Sequence, residues 1–172
     1  MGRRLLSSRA YADLFGVPTD SEALIRHYLL SGDDIDLIRT RRRAENHLGV
    51  AVHICLLRYP GLGWSEGMMP PAELIAWLAE QLQVGTCSLD DYAVRRNTRH
   101  EHHALAMRHL GLSPFGPEHV QQAEDIATRA AFATDHGVKI VETLIADLRK
   151  HHLVLPSVDT LERHALKGRA RA

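Results

Sequence analysis

Apolar residues recur at helical spacing along nearly the whole chain, and this pattern constrains the fold more than any other feature. Leu74, Ile75, Leu78 and Leu82 are an example, because residues three and four apart lie on one face of an α-helix. Alternating apolar and polar runs, which are typical of half-buried strands, are scarce. The sequence therefore predicts an all-α fold.

Capping and helix-breaking residues divide this pattern into separate helices. Ser31 followed by Asp34 matches a capping box, and Pro60-Gly61 is expected to end a long helix that buries Leu48 and Cys55. The predicted helices span residues 8–15, about 20–28, 33–42, 44–59, 71–84, 88–94, 97–110, 117–134, 138–151 and 157–166.

Two pairs of a short helix, a turn and a longer helix stand out, over residues 33–59 and 88–110. This order is typical of helix-turn-helix proteins, although it also fits any small helical bundle. The Gly-rich loop 61–71 is the predicted boundary between them. The expected organisation is a first helical lobe at 1–62, a second at 70–112, and C-terminal helices at 117–172 that pack on the lobes or extend from them.

Basic and polar side chains cluster at both predicted turns. Guanidinium groups neutralise phosphate and form paired hydrogen bonds with guanine, whereas an asparagine amide can pair with adenine. Both clusters are therefore predicted to contact double-stranded DNA. The first cluster is Arg39, Arg41, Arg42, Arg43, Asn46 and His47. The second cluster is Arg95, Arg96, Thr98, Arg99 and His102.

The overall charge balance weighs against this hypothesis. The chain has 21 Lys and Arg against 21 Asp and Glu, whereas a stand-alone nucleic-acid binder is more often strongly basic. Binding depends on the local patch, and the arginines are unevenly distributed. The alternative interpretation is that both clusters are ordinary solvated helix faces.

Metal, cofactor and catalytic chemistry find little support in the sequence. His100, His102, His103 and His109 lie near Cys87, but adjacent histidines point apart on a helix and no paired cysteine spacing occurs. We find no nucleophile with a positioned base. No metal, cofactor, small-molecule substrate or enzymatic activity is therefore expected.

The cysteine positions and the hydropathy of the chain indicate its cellular compartment. Cys55 and Cys87 are far apart in or beside apolar segments, which predicts buried thiols in a reducing cytosol. The N-terminus becomes polar before a signal peptide could form, and no segment approaches a membrane span. We expect a cytoplasmic protein without a membrane partner.

Several strings of the chain resemble the N-terminal region of Tn-three family transposases, the large replicative transposases. They include Leu57-Arg58-Tyr59-Pro60-Gly61, Thr98-Arg99 with Glu101-His102, Leu24 to Ser31 and Leu161-Glu162-Arg163. The resemblance covers essentially the whole chain. Gly32, where the family often has Pro, and Thr40 within the arginine run depart from the family pattern.

The resemblance implies a function for this helical region. It implies binding of the terminal inverted repeats of a transposon, with strand transfer left to a distant catalytic domain that is absent from these 172 residues. A rival interpretation is a truncated, non-catalytic regulator that acts through protein contacts with full-length transposase.

Overall fold

The computed structural model describes residues 5–65, 67–92 and 96–172, with backbone only for residues 87, 88 and 96. Within these ranges the regular structure is helical, and the predicted all-α class is confirmed. The helices are α1 Ser8–Phe15, α2 Ser21–Tyr28, α3 Gly32–Arg39, α4 Ala44–Arg58, α5 Ala72–Leu82, α6 Arg96–His109, α7 Val120–Ala133, α8 Gly137–Lys150 and α9 Val158–Arg171. Short 3₁₀ turns lie at Thr86–Leu89 and Pro117–His119.

Side-chain caps satisfy the first amides of helices α2 and α3. Asp20 accepts a hydrogen bond from the Ala23 amide at 3.0 Å. Ser31 Oγ accepts from the Asp34 amide at 3.1 Å, and Asp34 Oδ2 accepts from the Ser31 amide at 2.8 Å. This reciprocal pair is the predicted capping box, which satisfies amides that the first helical turn leaves unpaired.

Three predicted helices differ from the observed elements. The helix predicted over residues 33–42 ends at Arg39, because the backbone turns at residues 40–43 before α4 begins. The predicted helix 88–94 is replaced by the 3₁₀ turn Thr86–Leu89, and residues 93–95 lie outside the described part of the chain. The last helix continues past residue 166 to Arg171, because α9 packs closely against α7 along its length. A side chain on Gly168 would overlap Ala127, so this contact requires glycine.

The described residues form two packing units rather than three. One is the 17–111 unit, Val17–Gly111, which contains α2 to α6. The other, the terminal unit, combines the described residues up to Gly16 with Leu112–Ala172. The predicted boundary between residues 62 and 70 falls inside the 17–111 unit, since α4 packs against α3, α5 and α6 together.

Helix α4 is the core of the 17–111 unit. Ten consecutive residues, Leu48–Leu57, are buried, including Cys55 as the expected buried thiol. A helix that is apolar on all sides must be covered on all sides, whereas the sequence predicted one buried stripe. Only the first turn and the last residue of α4 retain exposure, so the helix cannot lie lengthwise in a DNA groove. A helix-turn-helix arrangement is not confirmed.

Asp34 connects three helices of this unit. Its carboxylate is 1% exposed and accepts from Arg58 Nη2, which lies 3.0 Å from both carboxylate oxygens. His109 Nε2 lies 2.7 Å from Oδ1. Burial alone would raise the pKa of Asp34, but the Ser31 amide, His109 and Arg58 together lower it. The ionised carboxylate thus fixes the start of α3 against the ends of α4 and α6.

The terminal unit has a comparable connection to its N-terminal segment. The buried Glu162 of α9 accepts from the amides of Leu5 and Leu6, each at 2.8 Å. Backbone amides rarely remain unpaired when buried, so this carboxylate supplies the acceptor that they need. The segment before α1 is thereby attached to α9.

No helix in the described part of the chain has both the length and the hydropathy needed to cross a membrane.

We expect Asp34→Asn to lower the free energy of unfolding by about 2 to 4 kcal/mol in urea denaturation. Removing one partner of a buried ion pair costs about 3 to 5 kcal/mol, and the lower range applies because the Arg58 side chain is 33% exposed. The matched control is Asp33→Asn, since Asp33 is exposed in the same helical turn. Equal stability of both variants would contradict the assigned role of Asp34.

Candidate nucleic-acid interface

The first predicted cluster lies on the turn between α3 and α4, and we call residues 39–43 the arginine loop. Thr40 Oγ1 donates to the Leu37 carbonyl at 2.6 Å and accepts from Arg41 Nε and Nη2 at 3.1 and 3.0 Å. His47 Nε2 lies 2.6 Å from the Arg41 carbonyl oxygen. These bonds fix the path of the loop, so Arg41 and His47 contribute mainly by positioning it.

The other arginines of the loop extend into solvent. Arg39, Arg42 and Arg43 are exposed. Arg43 lies 3.7 Å from Glu45, although its side chain is 77% exposed. An exposed pair of this kind contributes little stability, so the guanidinium remains available to another anion. Among the described residues Arg42 has no ion-pair partner.

The loop ends at the beginning of α4, which adds backbone donors to the same surface. Arg43 is the N-cap residue and has no side-chain cap bond, and Asn46 is half-buried in the first turn. The first amides of a helix lack intrahelical acceptors, and the helix dipole favours an anion at this end. The exposed arginines and these amides together favour a phosphate group.

The second predicted cluster is not assembled in the same way. Arg95 lies outside the described residues, as does the side chain of Arg96, whereas Thr98 is half-buried. Arg99 lies over the ring of Trp64, 4.2 Å from its centroid, and donates to the Ser65 carbonyl at 3.1 Å.

His102 is the predicted contact least available to a ligand. Its side chain is 4% exposed, and Nδ1 lies 3.0 Å from Tyr92 Oη. The histidine and tyrosine rings are stacked, with centroids 5.6 Å apart. His102 and Arg99 are therefore engaged in contacts within the 17–111 unit. His102 packs on the ring of Tyr92, and Arg99 lies over the ring of Trp64.

His102 belongs to a group of packed side chains that the sequence analysis did not predict. We call it the aromatic-histidine cluster, and its members are His53, Trp64, Tyr92, His102 and His103. Trp64 stacks on Tyr92 with centroids 5.4 Å apart, and His53 lies 5.2 Å from Trp64 and 5.6 Å from His103. One sequence signal was Gly49 within an apolar helix, because a side chain there would overlap the Tyr92 ring.

His53 is the most deeply buried member of this cluster. It is 1% exposed, and its ring nitrogens have no hydrogen-bond partner among the described residues. Burial, followed by electrostatic interactions with His103, Arg99 and His102, lowers the pKa of His53 to about 3. Burial also lowers the pKa values of His102 and His103. These lowered pKa values favour the neutral form of all three imidazoles.

The chain is similar to known proteins over nearly its whole length. The family described as a domain of unknown function (DUF4158) matches residues 5–167. The chain is 37% identical to the transposase for transposon Tn21 of Escherichia coli over 172 residues, 99% of this chain. It is 35% identical to the transposase for transposon Tn501 of Pseudomonas aeruginosa over 173 residues, 100% of this chain. The chain spans 17% and 18% of these relatives. The resemblance to the N-terminal region of Tn-three family transposases is confirmed.

We expect the chain to lose stability as the pH falls below about 6.5, and His53→Phe to reduce that loss. A histidine with a lowered folded-state pKa gains its proton first in the unfolded chain. Its contribution is therefore complete above the unfolded value of 6.5 and is lost towards the folded value of about 3.

Thermal unfolding monitored by circular dichroism across this pH range tests the expectation. His100→Phe is the control, because His100 is exposed on the adjacent helix α6. If His53→Phe and the wild type lost equal stability between about pH 7 and pH 5, His53 would not be the group responsible.

Proposed function

This chain belongs to the family described as a domain of unknown function (DUF4158), and we propose that it binds double-stranded DNA at the terminal inverted repeats of a transposon. In this proposal it acts as the N-terminal recognition module of a transposase. The proposal assigns it recognition and not strand cleavage. Its site of action is the cytoplasm, where the DNA of a bacterial element lies.

One observation carries this proposal: the arginine loop exposes its guanidinium groups beside the free amides of the α4 N-terminus. Arg39, Arg42 and Arg43 are exposed in the loop that leads into that end of the helix, and Glu45 is the neighbouring acid. Phosphate contacts from arginine and from helix N-termini supply most of the affinity and fix the register on a duplex. The names of the similar transposases support DNA as the ligand.

Asn46 is the proposed base-reading residue of this surface. It follows the loop by one helical turn and is half-buried, so its amide is closer to a fixed orientation than an arginine on the exposed loop. An asparagine amide can form two hydrogen bonds with adenine in the major groove. Because α4 is buried from Leu48 onward, we propose that its end, rather than its side, approaches the groove.

Only part of the second predicted cluster is included in the proposed DNA-binding surface. Thr98 remains a proposed contact, and Arg95 and Arg96 remain sequence predictions. Arg99 and His102 are left out of the proposed surface, because one is bound to the Trp64 ring and Ser65 and the other is buried.

We expect the double variant Arg42→Glu/Arg43→Glu to lower affinity for a duplex that carries the terminal inverted repeat of its own element by at least about tenfold. Each lost phosphate contact should also flatten the slope of log affinity against log salt by about 0.9. Fluorescence anisotropy over a salt series, with a scrambled duplex for comparison, measures both effects.

The matched control is Arg26→Glu/Arg108→Glu, which changes net charge equally at two other exposed positions of the same unit. If both double variants lost the same affinity, the effect would come from net charge in general and not from contacts of the arginine loop. Weak, salt-insensitive binding of the wild type to both duplexes would favour the rival function, a non-catalytic regulator that contacts full-length transposase.

We expect Asn46→Ala to lower affinity for the repeat by about 1 to 3 kcal/mol, the range for one paired contact with a base, while leaving the salt slope unchanged. Binding to the scrambled duplex should not change, because a base contact carries sequence preference. Gln121→Ala, which removes an exposed amide in α7, serves as the control. An equal loss on both duplexes would assign Asn46 to the phosphate backbone instead.

A further inference from the structure

The terminal unit contains an open pocket of about 540 Å³ that the proposed function does not use. It lies between the segment 115–120 and helix α9. One wall is apolar and includes Phe115 and Pro117, and the facing wall includes Arg163 and Lys167. Pockets for small molecules have volumes of about 300 to 1,000 Å³ and combine an apolar lining with few polar groups.

The polar wall carries a surplus of positive charge. The buried carboxylate of Glu124 accepts from Lys167 Nζ at 2.8 Å and from Arg171 Nη2 at 2.6 Å, and the bond from Lys167 is the main cause of its lowered pKa. Arg163 donates only to Thr160 Oγ1, at 3.3 Å, and has no acidic partner among the described residues. Arg163 is therefore the cation of this wall without a paired carboxylate, whereas Lys167 is paired with Glu124. A further carboxylate, that of Glu118, lies beside Gly116, which also lines the pocket.

The pocket is also lined by a buried histidine whose ring nitrogens are incompletely paired. His164 is 2% exposed, and neither ring nitrogen has a hydrogen-bond partner among the described residues. Its Nδ1 lies 3.6 Å from Glu124 Oε1, and this carboxylate counters the lowering of the His164 pKa by burial. Nε2 is therefore the ring nitrogen without a polar neighbour among the described residues. Buried polar groups in proteins are usually paired, so an unpaired one beside a cavity indicates a missing polar partner.

We propose that this pocket binds a nucleoside phosphate, with the phosphate at Arg163 and Lys167 and the base against the apolar wall of Phe115 and Pro117. A guanidinium recognises phosphate through charge-assisted hydrogen bonds, and a flat apolar wall suits a base because every base has a π-face. The arginine loop belongs to the other unit, so the inference goes beyond the proposed function and does not rest on it.

Two sources share this chemistry: a free nucleotide and a nucleotide unit of a DNA strand. The first experiment is an NMR titration of the whole chain with AMP, adenosine and inorganic phosphate. We expect AMP to shift the amide signals of residues 115–120 and α9 saturably and to bind at least about tenfold more tightly than either fragment.

The matched variants are Arg163→Gln and Arg169→Gln, which lose the same charge from exposed positions of α9, with only Arg163 lining the pocket. Arg163→Gln should weaken AMP binding by at least about tenfold, whereas Arg169→Gln should not. AMP binding that is indifferent to Arg163, or inorganic phosphate that binds as tightly as AMP, would overturn the proposal.

The second experiment uses duplex DNA with the same two variants. If AMP binds and the variants bind the duplex equally, the ligand is a free nucleotide. If AMP does not bind and Arg163→Gln alone weakens duplex binding, the ligand is a nucleotide of DNA. If Arg163→Gln affects neither ligand, the pocket is not a nucleoside phosphate site.

Discussion

The carboxylate of Asp34 is the interaction on which the arrangement of the 17–111 unit depends. It accepts from the Ser31 amide, Arg58 and His109, and so connects the start of α3 with the ends of α4 and α6. A buried charge is tolerated only when its partners replace the lost hydration. These partners come from separate parts of the chain. The carboxylate is therefore fully hydrated in the unfolded chain, and it is fully paired only when the helices of this unit have assembled.

The proposed interface lies at one end of the most buried helix of this unit. From Leu48 to Leu57, α4 is surrounded by other helices, so it is held more firmly than a surface helix would be. Its first turn therefore gives the arginine loop a rigid base, and Thr40 and His47 fix the loop by hydrogen bonds. Phosphate recognition gains from such rigidity, since less conformational freedom is lost on binding.

Basic residues in this chain serve two distinct roles that composition does not separate. Arg42 and Arg43 are exposed and suited to an external anion. Arg99 instead lies over Trp64, and Arg171 pairs with the buried carboxylate of Glu124. A guanidinium over an indole ring is attracted by the ring quadrupole, and this contact competes with a role at the surface. The neutral overall charge of the chain does not distinguish exposed basic residues from those paired within the protein.

The sequence by itself determined the all-α class, most helix bounds and the capping box, because hydrophobic period and helix caps act over a few neighbouring residues. It also indicated the basic cluster at the turn between α3 and α4, although it extended the helix before that turn to Arg42. Only the tertiary structure decided that α4 is buried on all sides and that His102 turns inward to Tyr92. It alone brought Asp34 to His109 and joined residues 17–111 into one unit, because such pairings join residues far apart in the chain and depend on packing, which local patterns do not encode.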